Sequence, residues 1–197
     1  MARNTMTGFQ RLDCGKINQI ERGKRMDERL KALETAMKLE EDGKKFYIDA
    51  SEKATSAFAR DMFRSLAKDE DVHLEKVKEI YKKLKEERKW PKVVTAIGDV
   101  VKTKAIFPED AKDLNMTEKD ISESVKVLKI GMEMEEKSIK FYNELAEKAT
   151  DPFEARFFFA LAHEERGHYL SLWDYREYLE DPAGWFGMKE GFRLDAG

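Results

Sequence analysis

The chain has 197 residues, which is enough for one domain with a sizeable core. Charged residues make up 39% of it, the net charge is -3, and basic residues are interspersed with acidic ones, which argues against nucleic-acid binding. The one cysteine, Cys14, excludes an intrachain disulfide and a four-cysteine metal site. Apolar runs are too short to span a membrane, and we expect a cytoplasmic protein that binds neither nucleic acid nor membrane.

The first predicted helix, A, begins where a regular pattern of apolar residues begins, at Met26. Residues 1–25 lack a clear helical period, and we interpret them as an N-terminal arm or tail. From Met26 onward, inner-face residues recur three or four apart, which predicts a long amphipathic helix. They are Leu30, Leu33, Met37, Glu40, Gly43, Tyr47 and Ala50.

A second predicted helix, B, follows a short turn in which Ser56 is a suitable N-cap. Its inner face carries Phe63, Leu66, Ala67, Glu70, His73, Leu74 and Val77. Pro91 cannot continue a helix, so helix B should end shortly before it. The next segment, roughly residues 88–119, is too long for a tight turn and long enough to run the length of a helical bundle.

Two further helices, C and D, complete the pattern. Helix C carries Val125, Leu128, Met132, Glu135, Ser138, Tyr142 and Ala146 on its inner face. Helix D carries Phe158, Leu161, Ala162, Glu165, His168, Tyr169 and Leu172. Asp151 is a predicted N-cap for helix D, Pro152 suits its first turn, and the helix should run to about Glu180.

Residues 181–197 form a predicted C-terminal extension beyond helix D. It contains three large aromatic residues, Trp185, Phe186 and Phe192. Such side chains need cover from water, so we expect the extension to pack on the bundle or on a partner.

An internal repeat organises the chain. The stretch "EEDGKKFYIDASEKATSAFARDMFRSLAKDEDVH" (40–73) aligns without a gap with "EEKSIKFYNELAEKATDPFEARFFFALAHEERGH" (135–168), at a constant offset of 135 − 40 = 168 − 73 = 95. This predicts a tandem duplication of a helical hairpin. Two antiparallel hairpins joined by one long crossover between helices B and C form an all-α, ferritin-like four-helix bundle, here over residues 26–180.

Six polar residues lie on the inner faces of the predicted helices. They are Glu40, Glu70, His73, Glu135, Glu165 and His168. In each Glu-x-x-His pair, a spacing of three residues points both side chains the same way. Four carboxylates in a bundle core repel one another and are costly to bury, and two cations would remove that cost.

This set of ligands predicts a two-metal centre. Mixed oxygen and nitrogen ligands suit iron or manganese, and a Glu from each of two helices with a Glu-x-x-His from each of the other two is the di-iron or di-manganese pattern. We predict two iron ions per chain, with manganese as the second possible metal. Glu70 and Glu165 would bridge the metals. Glu40 with His73, and Glu135 with His168, would each complete one metal site.

Neighbouring acidic residues are weaker candidates. Glu41, Glu136, Asp69 and Glu164 lie off the apolar stripes, turned by roughly 100° per residue from the predicted ligands. We expect them to form solvated surface pairs with lysines. His163 has no histidine at the matching position of the repeat, where Lys68 stands, and we interpret it as outward-facing or structural.

Small residues and tyrosines follow the predicted ligands of helices A and C. Gly43 and Ser138 lie one turn after Glu40 and Glu135, where bulk would crowd the metals. Tyr47 and Tyr142 lie seven residues after those ligands, on the same faces. Two interpretations stay open: each tyrosine hydrogen-bonds a ligating carboxylate or bound oxygen species, or each is a core aromatic.

Over residues 27–180 the chain resembles the rubrerythrin family of ferritin-like di-iron proteins. The resemblance is carried by "LEEDGKKFY…LAKDEDVH" and "MEEKSIKFY…LAHEERGH". It implies a di-iron domain, often a homodimer, that reduces hydrogen peroxide by two electrons. Carried over by position, the metal ligands are Glu40, Glu70, His73, Glu135, Glu165 and His168. We assign Glu70, Glu165, Tyr47 and Tyr142 as the catalytic candidates.

The sequence departs from that family in two places. Rubrerythrin itself carries a four-cysteine rubredoxin-type domain, whereas this chain has only Cys14, so we expect electrons from a separate donor such as a rubredoxin. Ser138 stands where rubrerythrin has an additional glutamate, which makes the ligand set more symmetric. Three functions therefore remain open: peroxide reduction in protection against oxidative stress, a ferroxidase that oxidises Fe(II) with dioxygen, and a non-catalytic metal-binding bundle.

Overall fold

The computed structural model describes residues 14–92 and 116–194, with side chains from residue 19 to 92 and from 116 to 189. The helices are α1 (Cys14–Lys53), α2 (Ala57–Glu87), α3 (Glu118–Lys148), α4 (Pro152–Glu180) and α5 (Pro182–Leu194). The first four correspond to predicted helices A to D and confirm the all-α, ferritin-like bundle. Most of the predicted crossover (93–115), the first 13 residues, the last three and the side chain of Phe192 lie outside the described part.

Helix α1 begins earlier than the sequence pattern predicts. It starts at Cys14, whereas the apolar period starts at Met26, so residues 14–25 are helical. Met26 is nevertheless the first buried side chain described along α1, and Ile20 before it is 72% exposed. Described side chains from residue 19 to 25 are all exposed or partly exposed, so this part of the helix leaves no amphipathic signal in the sequence.

Local sequence signals fix the helix ends. Ser56 accepts a hydrogen bond from the Ala59 backbone N–H and caps α2, as its position predicts. Asp151 caps α4 in the same way, through the backbone N–H of Phe153 at 2.8 Å. At the end of α2, Arg88 adopts a left-handed conformation (φ 56°) that turns the chain away from the helix.

Two apolar clusters fill the bundle at opposite ends. The first combines the end of α1, the start of α2, the start of α3 and the end of α4, and includes Trp185 of α5. The second combines the opposite halves of the same four helices and includes Trp90, just beyond α2. Consequently α1 is antiparallel to both α2 and α3, and the middle of the bundle lies between the two apolar clusters.

The two buried tryptophans extend the internal repeat. Trp90 and Trp185 are separated by 185 − 90 = 95 residues, the same offset as the repeated helices, and are 5% and 7% exposed. The Trp90 ring lies 5.6 Å from Phe158 of α4, while the Trp185 ring lies 5.5 Å from Tyr178. Each hairpin therefore ends on a tryptophan that closes one apolar cluster.

A partly buried ion pair joins the two hairpins near the second cluster. The Arg29 side chain of α1 forms two hydrogen bonds with the Glu154 carboxylate of α4, one of them 2.9 Å long from Nε. Burial raises the pKa of Glu154 more than Arg29 lowers it. This pair favours one alignment of the helices, because breaking it would leave the buried Glu154 carboxylate without its partner.

Candidate metal centre

The six sequence-predicted ligands meet in the middle of the bundle, between the two apolar clusters. Glu40 comes from α1, Glu70 and His73 from α2, Glu135 from α3, and Glu165 and His168 from α4. All six side chains are buried, and Glu165 is only 1% exposed. Four helices of one chain therefore contribute to a single site that is shielded from bulk water.

The carboxylates of Glu70 and Glu165 lie between the two histidines. Glu70 places Oε2 3.8 Å from Nδ1 of His73 and Oε1 3.3 Å from Nδ1 of His168. Glu165 places Oε1 3.2 Å from Nδ1 of His73 and Oε2 3.3 Å from Nδ1 of His168. Each carboxylate thus presents one oxygen to each histidine, which is the arrangement that a bridging ligand requires.

Glu40 and Glu135 each face one histidine. Glu40 Oε2 lies 3.4 Å from His73 Nδ1, and Glu135 Oε1 lies 3.7 Å from His168 Nδ1. Two groups of potential ligands result, each with three carboxylates and one histidine whose ligand atoms lie within 4.8 Å of one another. They are Glu40, Glu70, His73 and Glu165, and Glu70, Glu135, Glu165 and His168.

Unpaired buried atoms indicate that these groups fit cations. Oε2 of Glu40, Oε1 of Glu165 and Nδ1 of both His73 and His168 are buried without a hydrogen-bond partner in the described part of the chain. Leaving a buried polar atom unpaired costs about 1–3 kcal/mol, so four in one place call for a ligand. Carboxylate oxygens with one imidazole nitrogen per group match iron or manganese.

Without cations, the six ionisable groups hold one another in unusual protonation states. Burial raises the pKa of both Glu40 and Glu135, and the nearby Glu165 carboxylate raises both further. Burial also opposes ionisation of Glu165, but contacts with His168 and His73 outweigh it and lower the pKa of Glu165. Protons therefore occupy the site when metal does not.

At the two histidines, burial and the nearby carboxylates also act on the pKa in opposite directions. Burial alone would lower the pKa of His73, but its contacts with Glu165, Glu40 and Glu70 raise that pKa well above the usual value. Burial likewise opposes the charged form of His168, and Asp69 together with the carboxylates of the site raises its pKa in spite of it. Metal binding must therefore displace protons from the two histidines.

The two tyrosines cross over between the repeats. The Tyr47 hydroxyl of α1 donates a hydrogen bond to Oε1 of Glu135, and the Tyr142 hydroxyl of α3 donates one to Oε1 of Glu40. Both rings are also buried, at 1% and 0% exposure. Burial, followed by the adjacent carboxylate, raises the pKa of each phenol, so both remain donors. Each tyrosine is therefore a buried core aromatic whose hydroxyl is bonded to the carboxylate of a predicted ligand.

Asp69 lies closer to the site than the sequence pattern predicts. Its Oδ2 atom is 3.8 Å from Nε2 of His168, on the ring edge opposite Nδ1, whereas its helical phase predicts a position among surface lysines. A carboxylate at that nitrogen fixes the orientation of a ligating imidazole. A signal was present in the sequence, because an acidic residue, Asp69 or Glu164, precedes Glu70 and Glu165 in both repeats.

The remaining acidic neighbours of the predicted ligands lie away from the centre. Glu41 and Glu136 are exposed, as their helical phase predicts, and Asp71 forms a surface ion pair with Lys44 at 2.6 Å. His163 is exposed as well, in agreement with its outward-facing interpretation. Helical phase therefore separates these residues correctly from the six that meet in the core.

Gly43 allows the Glu70 carboxylate to approach α1. A Cβ atom at residue 43 would lie 3.2 Å from Cδ of Glu70, closer than an ordinary van der Waals contact. Its repeat equivalent, Ser138, is only half-buried. The absence of a side chain at residue 43 thus leaves room for one predicted bridging ligand, in agreement with the crowding argument made from the sequence.

Comparisons with known proteins agree with this geometry. A protein-family model described as Rubrerythrin matches residues 31–174, which include all six predicted ligands. The chain is also similar to a solved structure, "Hypothetical Protein Pfu-1136390-001 From Pyrococcus furiosus", with a TM-score of 0.57 and 23% identity over 76% of this chain and 89% of that one. At that identity the likeness supports the fold alone. None of the curated proteins compared with the chain matches it.

Within residues 14–92 and 116–194, none of the helices has an apolar stretch long enough to cross a membrane.

Proposed function

Because the chain belongs to the rubrerythrin family, we propose that it is a di-iron oxidoreductase that reduces hydrogen peroxide with electrons from a separate donor. In this role it would protect the cell against oxidative stress. The proposal combines the family assignment with a buried site whose ligands suit two iron ions.

The observation that carries the proposal is the position of Glu70 and Glu165 between the two histidines. Each carboxylate offers one oxygen to each side, at 3.2–3.8 Å from the ring nitrogens. This supports two adjacent metal ions, and two iron ions held there could each supply one of the two electrons that reduction of one peroxide takes. Two iron ions held there would supply electrons and Lewis acidity to the bound oxidant.

The remaining residues of the site would hold its geometry and its protons. Tyr47 and Tyr142 keep Glu135 and Glu40 in place through their hydroxyl hydrogen bonds. Asp69 would orient the His168 ring. The apolar clusters on either side limit access of water, which strengthens every charge interaction in the centre.

We propose in addition that the protein acts in the cytoplasm as a homodimer. Its single cysteine supports a reducing environment and a separate electron donor of the rubredoxin type, since a four-cysteine iron site needs more thiols than this chain has.

Stopped-flow absorption of the diferrous protein, mixed in turn with hydrogen peroxide and with dioxygen, tests the reaction. We expect rapid oxidation by peroxide and slow oxidation by dioxygen. Glu41→Ala is the matched control, because Glu41 is exposed beside the proposed ligand Glu40 and should leave both rates unchanged.

A ferroxidase is the second candidate, favoured by the near-symmetric ligand set in which Ser138 occupies the place of the family's additional glutamate. It predicts the reverse order of rates in the same experiment, with dioxygen faster than peroxide. Oxidation by neither reagent would point to a non-catalytic metal-binding bundle.

A further inference from the structure

We propose that Trp90, Phe158 and Tyr142 form an aromatic path through which Trp90 supplies electrons to the metal centre when the separate donor is exhausted. The inference rests on the proposed peroxide reduction. It concerns residues of this chain that the proposed reaction does not otherwise use.

The path is continuous from a proposed ligand to the end of the bundle. The Tyr142 hydroxyl is hydrogen-bonded to the Glu40 carboxylate. The Tyr142 ring is stacked on Phe158, with ring centroids 6.3 Å apart and planes 14° from parallel. The Phe158 ring lies in turn 5.6 Å from the ring of Trp90. These spacings fall within the range of direct aromatic contact.

The chemistry of the three side chains suits one-electron transfer. The indole of Trp90 and the phenol of Tyr142 lose an electron far more readily than aliphatic side chains do, and the intervening Phe158 ring provides close contact between them. Trp90 is 5% exposed, so peroxide in solution has little direct access to it. Any oxidation of Trp90 would therefore report on the buried centre.

Among the described residues of the other repeat, no ring contact joins Phe63 to Trp185. Phe63, the equivalent of Phe158, stacks on Tyr47 with ring centroids 6.2 Å apart. Trp185, the equivalent of Trp90, instead lies against Tyr178 and Phe186, and its Nε1 donates to Asp174. The repeat therefore provides a second buried tryptophan in the same chain for comparison.

The proposed reaction balances without a further reagent. Peroxide takes two electrons and two protons and yields two molecules of water. Trp90 loses the two electrons and two protons and gains the oxygen of one water. The net reaction converts one tryptophan and one hydrogen peroxide into one hydroxytryptophan and one water: the O–O bond and one ring C–H bond break, and one ring C–O bond and one O–H bond of water form.

The test exposes iron-loaded protein, freed of unbound iron, to excess hydrogen peroxide without an electron donor. Peroxide consumption is recorded, and peptide mass spectrometry then measures oxygen addition at each tryptophan. We expect Trp90 to be oxygenated severalfold more than Trp185. Iron-free protein should show oxygenation of neither tryptophan. Comparing two tryptophans within the wild-type chain stays decisive even if a variant fails to fold.

A matched pair of variants tests the route. Phe158→Leu should lower oxygenation of Trp90 severalfold, whereas Phe63→Leu, at the equivalent position of the other repeat, should leave it unchanged. Equal oxygenation of Trp90 and Trp185, equal effects of the two variants, or peroxide consumption without oxygenation of Trp90 would overturn the path alone. Absence of peroxide consumption without a donor would likewise overturn the path alone, because the proposed function requires a donor. Failure of peroxide to oxidise the diferrous protein in the stopped-flow experiment above would overturn the proposed function and, with it, the path.

Discussion

Tyr47 on α1 donates its hydroxyl hydrogen bond to Glu135 on α3, across the interface between the two hairpins. Tyr142 makes the reciprocal bond to Glu40. Each repeat thus supports a proposed ligand of the other. Neither hairpin supplies all of the site, so the site forms only when the two hairpins pack together.

Removing one of these hydroxyls should weaken metal binding without unfolding the protein. We expect Tyr47→Phe and Tyr142→Phe each to lower metal affinity about 10–100-fold, the usual effect of losing a group that supports a ligand. Competition with a chromophoric chelator measures this. Tyr175→Phe is the control, because the Tyr175 hydroxyl contacts Ser56, outside the site. An equal loss in the control would contradict the specific role of Tyr47 and Tyr142.

Removing a proposed bridge should affect both metals. Glu70→Ala and Glu165→Ala each take one oxygen from each metal group, so we expect bound metal to fall to one ion per chain or fewer. Metal analysis after reconstitution and desalting measures the stoichiometry. Glu41→Ala, an exposed neighbour, should retain full loading. Similar losses in all three variants would show that the bridging assignment is wrong.

Asp69 should matter on one side of the centre only. Its carboxylate lies 3.8 Å from Nε2 of His168 and is partly exposed, so we expect Asp69→Asn to weaken the metal group that contains His168. The effect should be severalfold and smaller than the loss of a bridge. Calorimetric titration would separate the two binding steps. Glu164→Gln, at the matching position of the repeat, is the control and should change neither step.

The stability of the metal-free protein should depend on pH. The pKa values of His73 and His168 are raised by folding, so their stabilising contribution is complete below about 6.5, the ordinary histidine pKa, and is lost as pH rises through the folded-state values. Metal-free protein should therefore lose stability above neutral pH. Metal-bound protein should not, because cations replace the histidine protons. Urea unfolding at several pH values measures the stability of both forms. The same pH dependence in metal-free and metal-bound protein would contradict the prediction.

The sequence predicts which six residues meet in the core because the repeat displays the pattern twice. Glu70 and His73 alone would be an ordinary charged stretch of helix, but Glu165 and His168 recur in phase at an offset of 95. Helical phase then separated buried from exposed acids and correctly left Glu41 on the surface. Periodicity thus identifies which face a residue occupies.

Periodicity does not reveal which helices meet across the core. The crossed bonds of Tyr47 and Tyr142, and the approach of Asp69 to His168, depend on contacts between hairpins that no single-helix pattern encodes. Residues 14–25 were missed for another reason. They are helical, but the described side chains from residue 19 to 25 are not buried, so this segment shows no apolar period.

Iron analysis of the reconstituted wild-type protein, combined with its optical spectrum after oxidation, tests the central claim most directly. The two overlapping ligand groups predict two iron ions per chain and the absorption bands of an oxo-bridged pair. One iron or fewer per chain, or two without bands of a bridged pair, would contradict a carboxylate-bridged di-iron centre at Glu70 and Glu165.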